Sequence, residues 1–121
     1  MGKILIVEDD SLIVKVYSTR LKADGHQVLT AFDGEIGLAL AKKEKPEVIL
    51  LDIMMPKVSG LEVLAELKKD SSTAKIPVIL YSNLGREEEI SKAKKLGAAV
   101  FLTKADYTPQ QVVAKIESYL K

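Results

Sequence analysis

Four kinds of side chain suited to handling a phosphoryl group fall at the ends of short apolar runs. Ile4-Leu5-Ile6-Val7 leads into Glu8-Asp9-Asp10, and Val48-Ile49-Leu50-Leu51 leads into Asp52. Further on, Ile76 to Leu80 leads into Tyr81-Ser82, and Ala99 to Leu102 leads into Thr103-Lys104. Carboxylates brought together repel one another, which raises their pKa unless a cation is present. Hard oxygen donors with room for water suit Mg2+, commonly held by one or two carboxylates plus phosphate oxygens. A lysine supplies a second positive charge and a serine hydroxyl a neutral donor. Together these parts would stabilise a phosphoryl group carried on an aspartate. Taken singly, each has a plainer explanation. An acidic triplet after a strand is ordinary helix-capping charge, an aspartate closing a strand is a loop residue, and Ser82 or Lys104 alone carries no signal. Capping accounts for Asp10, however, and has no use for Asp52. The joint placement is what carries the chemistry.

That placement depends on the elements between the runs. A helical pattern spans about Ser11 to Lys22, with Asp10 or Ser11 as N-cap and Ile13, Val16, Tyr17 and Leu21 expected on its inner face. Ala23-Asp24-Gly25 stops it, and His26 to Ala31 reads as a second strand. Asp33-Gly34-Glu35 opens a second helix, expected to pack through Ile36, Ala39 and Leu40 and to end before Pro46. Ser59 or Gly60 starts a third, with Leu61, Leu64 and Leu67 inward. A fourth runs from about Arg86 to Leu96 with a thin stripe of Ile90, Ala93 and Leu96, and Gly97 closes it. Thr108-Pro109-Gln110-Gln111 combines a capping box with proline at the first helical position, opening a last helix that packs through Val112, Val113, Ile116 and Leu120.

Strand and helix thus alternate five times, with strands that are apolar throughout. This predicts an α/β fold, a parallel sheet covered by helices on both faces. Such sheets bind ligands beyond the carboxyl ends of their strands, where strand order reverses. The acids, Ser82 and Lys104 all sit at those ends.

Composition narrows the classes further. The chain has 121 residues, no cysteine and a formal net charge of +1. That length suits one domain. Without cysteine there is no disulfide, thiolate zinc site or thiol nucleophile. A near-zero net charge gives no field to attract nucleic acid, and no apolar run is long enough to cross a membrane. One soluble, cytoplasmic domain is expected.

With these residues assembled, the chain resembles the receiver domains of bacterial response regulators over essentially its whole length, residues 1–121. The most specific stretches are Ile4-Leu5-Ile6-Val7-Glu8-Asp9-Asp10 and Leu51-Asp52-Ile53-Met54-Met55-Pro56-Lys57-Val58-Ser59-Gly60, with Ser82 and Lys104 at the expected places. The resemblance implies a doubly wound, flavodoxin-like sheet of strand order 2-1-3-4-5 flanked by five helices. It implies Asp52 as phosphoacceptor, taking the group from a sensor histidine kinase or phosphotransfer protein. Glu8 and Asp9 match the acidic pair that holds Mg2+, Asp9 directly and Glu8 through water, with Asp52 and the Met54 backbone carbonyl completing the set. Ser82 matches the switch hydroxyl, Lys104 the phosphoryl-binding lysine and Phe101 the switch aromatic. The fourth helix, fifth strand and fifth helix form the family's output face, toward a downstream protein, as a monomer or a phosphorylation-dependent dimer. Met54 and Leu84 would flank the water that removes the phosphoryl group and offer it no base, which implies a long-lived phospho-state.

Two positions depart from the family pattern. Ala105 stands where proline usually follows the lysine, so the Lys104–Ala105 bond is expected trans, since cis before a non-proline costs roughly 2.5–4 kcal/mol. Asn83 replaces a small residue after the switch hydroxyl, where it either narrows access to Asp52 or adds a hydrogen bond to the phosphoryl oxygens. His26 reads as a surface or packing residue, and Glu87-Glu88-Glu89 as charge favoured at a helix N-terminus. Two other classes compete. A small aspartate-nucleophile phosphatase would carry a second aspartate two residues after the first, where Met54 stands, and a cap domain. A receiver-like binding module that is never phosphorylated would not need the full set of acids, Ser82 and Lys104. A nucleotide site lacks the Gly-rich loop after the first strand.

Overall fold

The computed structural model describes residues 2–55, 57–83 and 86–120. Strands and helices alternate as β1 (Lys3–Val7), α1 (Ser11–Ala23), β2 (Gln27–Ala31), α2 (Gly34–Glu44), β3 (Val48–Asp52), α3 (Gly60–Lys69), β4 (Val78–Ser82), α4 (Glu87–Leu96), β5 (Val100–Thr103) and α5 (Pro109–Glu117), with a single 3-10 turn over Lys104–Asp106. The strands lie in the order β2-β1-β3-β4-β5 and every neighbouring pair is parallel. This is the doubly wound order implied by the family resemblance.

The apolar strands bury both faces. Ile4, Ile6, Leu50, Ile79 and Leu102 pack with α1 and α5 on one side. Leu5, Val7, Ile49, Leu51 and Leu80 pack with α2, α3 and α4 on the other. Alternation along a strand therefore decides which layer each end residue enters. Glu8 continues the parity of Ile4 and Ile6, Asp52 that of Leu50, Tyr81 that of Ile79 and Lys104 that of Leu102. All four turn toward the α1–α5 side.

Helix starts follow the capping chemistry. Asp10 accepts from the Leu12 and Ile13 N–H groups, Asp33 from Ile36 and Ser59 from Glu62. Thr108 and Gln111 form the reciprocal capping box, with Pro109 at the start of α5. Gly97 ends α4 in the left-handed region, φ 97°.

Several inner faces differ from the periodic expectation. In α1 the buried residues are Val14, Tyr17 and Leu21, whereas Val16 is exposed. In α2, Ile36 and Ala39 face solvent, and the helix packs through Gly34, Gly37 and Ala41. The cause is close approach: a Cβ on Gly37 would lie 2.8 Å from the Val7 methyls, so small residues let α2 settle directly onto β1. Of the large apolar residues, Leu40 packs partly buried against the same core together with Leu38, and Ile36 is left outside. β4 starts at Val78 rather than Ile76, because Pro77 can only lend its carbonyl, which accepts from Ile49 N–H at 3.0 Å.

Candidate functional site

The strand register brings the chemistry together. Val7 pairs with Leu51, Asp52 with Tyr81 and Ser82 with Thr103. One residue beyond each of these pairs, Glu8 comes beside Asp52, and Lys104 follows Thr103. The reversal of strand order lies between β1 and β3, so Glu8 and Asp52 flank the crevice where such sheets place their ligands.

Lys104 is the hub. Its ammonium donates to Glu8 Oε1 at 3.0 Å and to Asp52 Oδ2 at 3.3 Å, across 96 and 52 residues of sequence. Glu8 is fully buried and Asp52 is 3% exposed, so neither carboxylate can rely on water. Asp52 Oδ1 accepts the Met54 N–H at 3.1 Å. Glu8 Oε2 accepts the Asp10 N–H at 3.1 Å, and Oε1 also accepts the Tyr81 hydroxyl at 2.6 Å. Asp9 is exposed at the mouth. Oxygen atoms of Glu8, Asp9 and Asp52 lie within 4.8 Å of one another.

Electrostatics follow from burial and count of charge. Burial pushes the Asp52 carboxyl up to about 7, and neighbouring Glu8 acts in the same direction, against Lys104 and the Met54 N–H. Burial also opposes ionisation of Glu8. Hydrogen bonds, Tyr81's first, outweigh it and hold this carboxyl at about 2. Burial works to lower Lys104, but Glu8 and Asp52 together raise it, so it stays an ammonium. Two buried carboxylates and the adjacent Asp9 thus face one ammonium. The all-oxygen, net-negative donor set fits a hard divalent cation, and Mg2+ in particular.

The backbone around Asp52 is closely packed. A Cβ on Gly60 would lie 2.2 Å from the Asp52 carbonyl oxygen and 2.7 Å from Ile53 Cα, and Gly60 N–H donates to the Ile53 carbonyl at 2.9 Å. The first turn of α3 therefore rests directly on the chain that carries the aspartate. In the connecting loop Lys57 adopts φ 68°, an uncommon conformation for a side-chain-bearing residue.

Of the residues expected from sequence, Glu8, Asp9, Asp52 and Lys104 converge. Met54 is tied to Asp52 through its N–H and its side chain is largely exposed. Ser82 is buried at the end of β4, on the Leu80 side of the sheet. Phe101 is half-buried on β5 with the α2–α4 layer. The Lys104–Ala105 bond is trans, as no cis peptide occurs among the described residues, and Lys104 to Asp106 form the 3-10 turn. Asn83 is exposed. Leu84 and Pro56 lie outside the described residues. His26 sits at the opposite end of the sheet, where its Nδ1 accepts the Gly2 N–H at 3.1 Å and its Nε2 pairs with Glu117 at 2.9 Å. That is a packing role. Tyr81 was not anticipated as a site residue. The available signal was strand parity, Ile79-Leu80-Tyr81 placing its ring on the Asp52 side.

A family model of the response regulator receiver domain matches residues 4–117. The chain belongs to this family. It is 41% identical over 104 residues to Protein PilH of Pseudomonas aeruginosa, covering 86% of each chain. It is 40% identical over 119 residues to "Probable transcriptional regulator ycf27" of Guillardia theta, covering 98% of this chain and 45% of that protein. The chain thus spans about half the length of the ycf27 regulators it matches. Among solved structures it is similar to chemotaxis protein CheY4 of Vibrio cholerae, with a TM-score of 0.90 and 29% identity over 99% of both chains. It is also similar to the Mn(2+)-bound form of response regulator Rcp1, with a TM-score of 0.84 and 29% identity over 98% of this chain and 93% of that one. Phosphorylation by a kinase is the standard role of this family in two-component signal transduction, and receiver domains typically use Mg2+. No helix among the described residues is long and apolar enough to cross a membrane.

Proposed function

We propose that this receiver domain accepts a phosphoryl group on Asp52 from a phosphohistidine of a sensor histidine kinase or phosphotransfer protein. The observation that carries this is the ammonium of Lys104 bridging buried Glu8 and Asp52 at the strand-order reversal. An Asp52 carboxylate oxygen attacks phosphorus, the new P–O bond forms as the P–N bond breaks, and the leaving imidazole takes a proton from solvent. Phosphoryl transfer depends on positioning and charge stabilisation, so the protein needs little else. The Met54 N–H and Lys104 orient the carboxylate from its two oxygens. Lys104 then follows the negative charge onto a phosphoryl oxygen. Glu8, Asp9, Asp52 and the Met54 carbonyl would hold Mg2+, which when bound neutralises charge on the phosphoryl oxygens.

The signal leaves through the α4–β5–α5 face. Ser82 donates its hydroxyl to the phosphoryl group, and Phe101 follows inward. A cleft of about 310 Å3 between α4 and β5, lined in part by Ile90, Ala93 and Phe101, gives that ring room. The output is a protein partner, met by residues 1–121 as one cytoplasmic domain without a nucleic-acid contact of its own, as a monomer or a phosphorylation-dependent dimer. The domain performs phosphoryl acceptance and slow self-hydrolysis and no turnover of outside substrates.

Incubation with Mg2+ and acetyl phosphate, followed by intact mass measurement, tests this. One phosphoryl adduct that disappears in Asp52→Asn is expected. An unmodified mass together with hydrolysis of a free phosphate ester would favour a phosphatase instead.

A further inference from the structure

Glu8 Oε1 is served by two donors, the Lys104 ammonium at 3.0 Å and the Tyr81 hydroxyl at 2.6 Å. Both carboxylate oxygens are accounted for, because Oε2 takes the Asp10 N–H. Glu8 is fully buried, so an oxygen that lost its donors would have no bulk solvent to replace them. Tyr81 is itself held in place. It is the register partner of Asp52, its ring packs edge-on against Tyr17 at 6.1 Å, and Lys104 lies 4.6 Å above its centroid.

Under the phosphoacceptor reading above, on which this inference rests, a phosphoryl group arriving on Asp52 draws the Lys104 ammonium from Glu8 toward the phosphoryl oxygens. We infer that Tyr81 is a positioning residue that makes this departure possible: its hydroxyl keeps buried Glu8 hydrogen-bonded while Lys104 moves to the phosphoryl group. The unmodified protein has two donors on Oε1 and tolerates losing one. After Lys104 has moved, the phenol is the side-chain donor that remains on Oε1 among the described residues. Removing the hydroxyl therefore penalises the phosphoryl-bearing state more than the unmodified one.

Tyr81→Phe keeps the ring and its packing on Tyr17 and removes only the hydroxyl. Beryllofluoride with saturating Mg2+ serves as the phosphoryl probe, and binding is followed by NMR chemical shifts. Affinity for beryllofluoride is expected to fall about tenfold in Tyr81→Phe, whereas affinity for Mg2+ alone changes less than twofold. In a Lys104→Ala background the same substitution is expected to have little effect, because there is no ammonium to release. Equal beryllofluoride affinity in wild type and Tyr81→Phe would overturn the inference. So would an equal loss for Mg2+ alone, or an undiminished loss in the Lys104→Ala background. In the wild type, the Tyr81 hydroxyl proton should stay protected from exchange in the beryllofluoride complex, and its loss of protection would contradict the inference without any variant. Failure of the wild type to bind beryllofluoride would instead remove the phosphoacceptor reading itself, and the inference with it.

Discussion

Helices α3 and α4 have the same length, ten residues each, and lie on the same face of the sheet, yet they are held very differently. Among the described residues, α3 buries Gly60, Val63, Leu64 and Leu67, while α4 buries Ala93 alone. Helix α4 relies on its ends instead: Glu87, Glu88 and Glu89 complement the N-terminal dipole, and Lys94 and Lys95 the C-terminal one. Such surface terms are worth a few tenths of a kcal/mol to about 1 kcal/mol each and weaken with salt. The contrast separates two duties. Helix α3 must not move, because Gly60 rests on the Asp52 carbonyl. Helix α4 is held by fewer buried side chains, and under the proposed function this suits an element that shifts against β5 to pass on the signal.

The largest expected effect is on the anchored side. Leu64→Ala opens a cavity in a fully buried position and should cost about 2–5 kcal/mol in urea unfolding. A value below that of a surface substitution would mean that α3 is not the anchor.

Next comes the charge stored beside it. Asp52 has an ordinary carboxyl value of 3.8 in the unfolded chain and about 7 in the folded, metal-free protein. The fold therefore binds this proton more tightly. Its contribution to stability is complete below the unfolded value and is lost as pH rises through about 7. Asp52→Asn cannot ionise, so without Mg2+ it should exceed wild type by about 1–4 kcal/mol near pH 8, with the advantage vanishing near pH 4. Glu8 runs the other way. Held at about 2, it adds stability above its ordinary 4.5 that is lost as pH falls through the lower value. Thermal unfolding across pH checks both signs. Added Mg2+ should stabilise wild type more near pH 8 than near pH 5, where protons compete for Asp52.

Gly60→Ala forces a methyl against the Asp52 backbone and should cost about 1–3 kcal/mol. It should also slow phosphorylation by acetyl phosphate, since the aspartate must shift; unchanged phosphorylation would detach α3 from the site. Smallest of all, Ile90→Ala on half-buried α4 should cost less than about 1 kcal/mol. Amides of α4 should exchange with solvent before those of α3. The reverse order of exchange would mean that α4 is held as firmly as α3.

The same contrast explains what was readable in the sequence. Apolar runs ending in Asp52, Ser82 and Lys104 announced the sheet, because strands buried on both faces carry apolar residues up to their carboxyl ends. Asp10, Ser59 and Thr108 announced helix starts, because capping is local chemistry. The inner face of α2 was only partly readable from its large apolar residues: Leu40 packs inward, whereas close approach to Val7 at Gly37 leaves Ile36 outside. Val14 replaced Val16 in α1 because one-residue rotations depend on how the helix seats on the sheet, not on its own pattern. Strand order came with the family resemblance, since alternation alone does not fix which strands are neighbours. Tyr81 was missed for a different reason. A tyrosine in a buried strand reads as core, and only the hydroxyl's 2.6 Å contact with Glu8, 73 residues away, gives it a part in the site.

Under the proposed function Asp52, among the clustered carboxyls, carries the phosphoryl group. Borohydride reduces an aspartyl phosphate to homoserine and leaves free carboxylates untouched, so peptide mass mapping of the acetyl-phosphate-treated, reduced protein locates the adduct directly. Homoserine at position 52 alone is the predicted result. Homoserine at Asp9 or Asp10, or at no position in protein whose intact mass had shown an adduct, would contradict it.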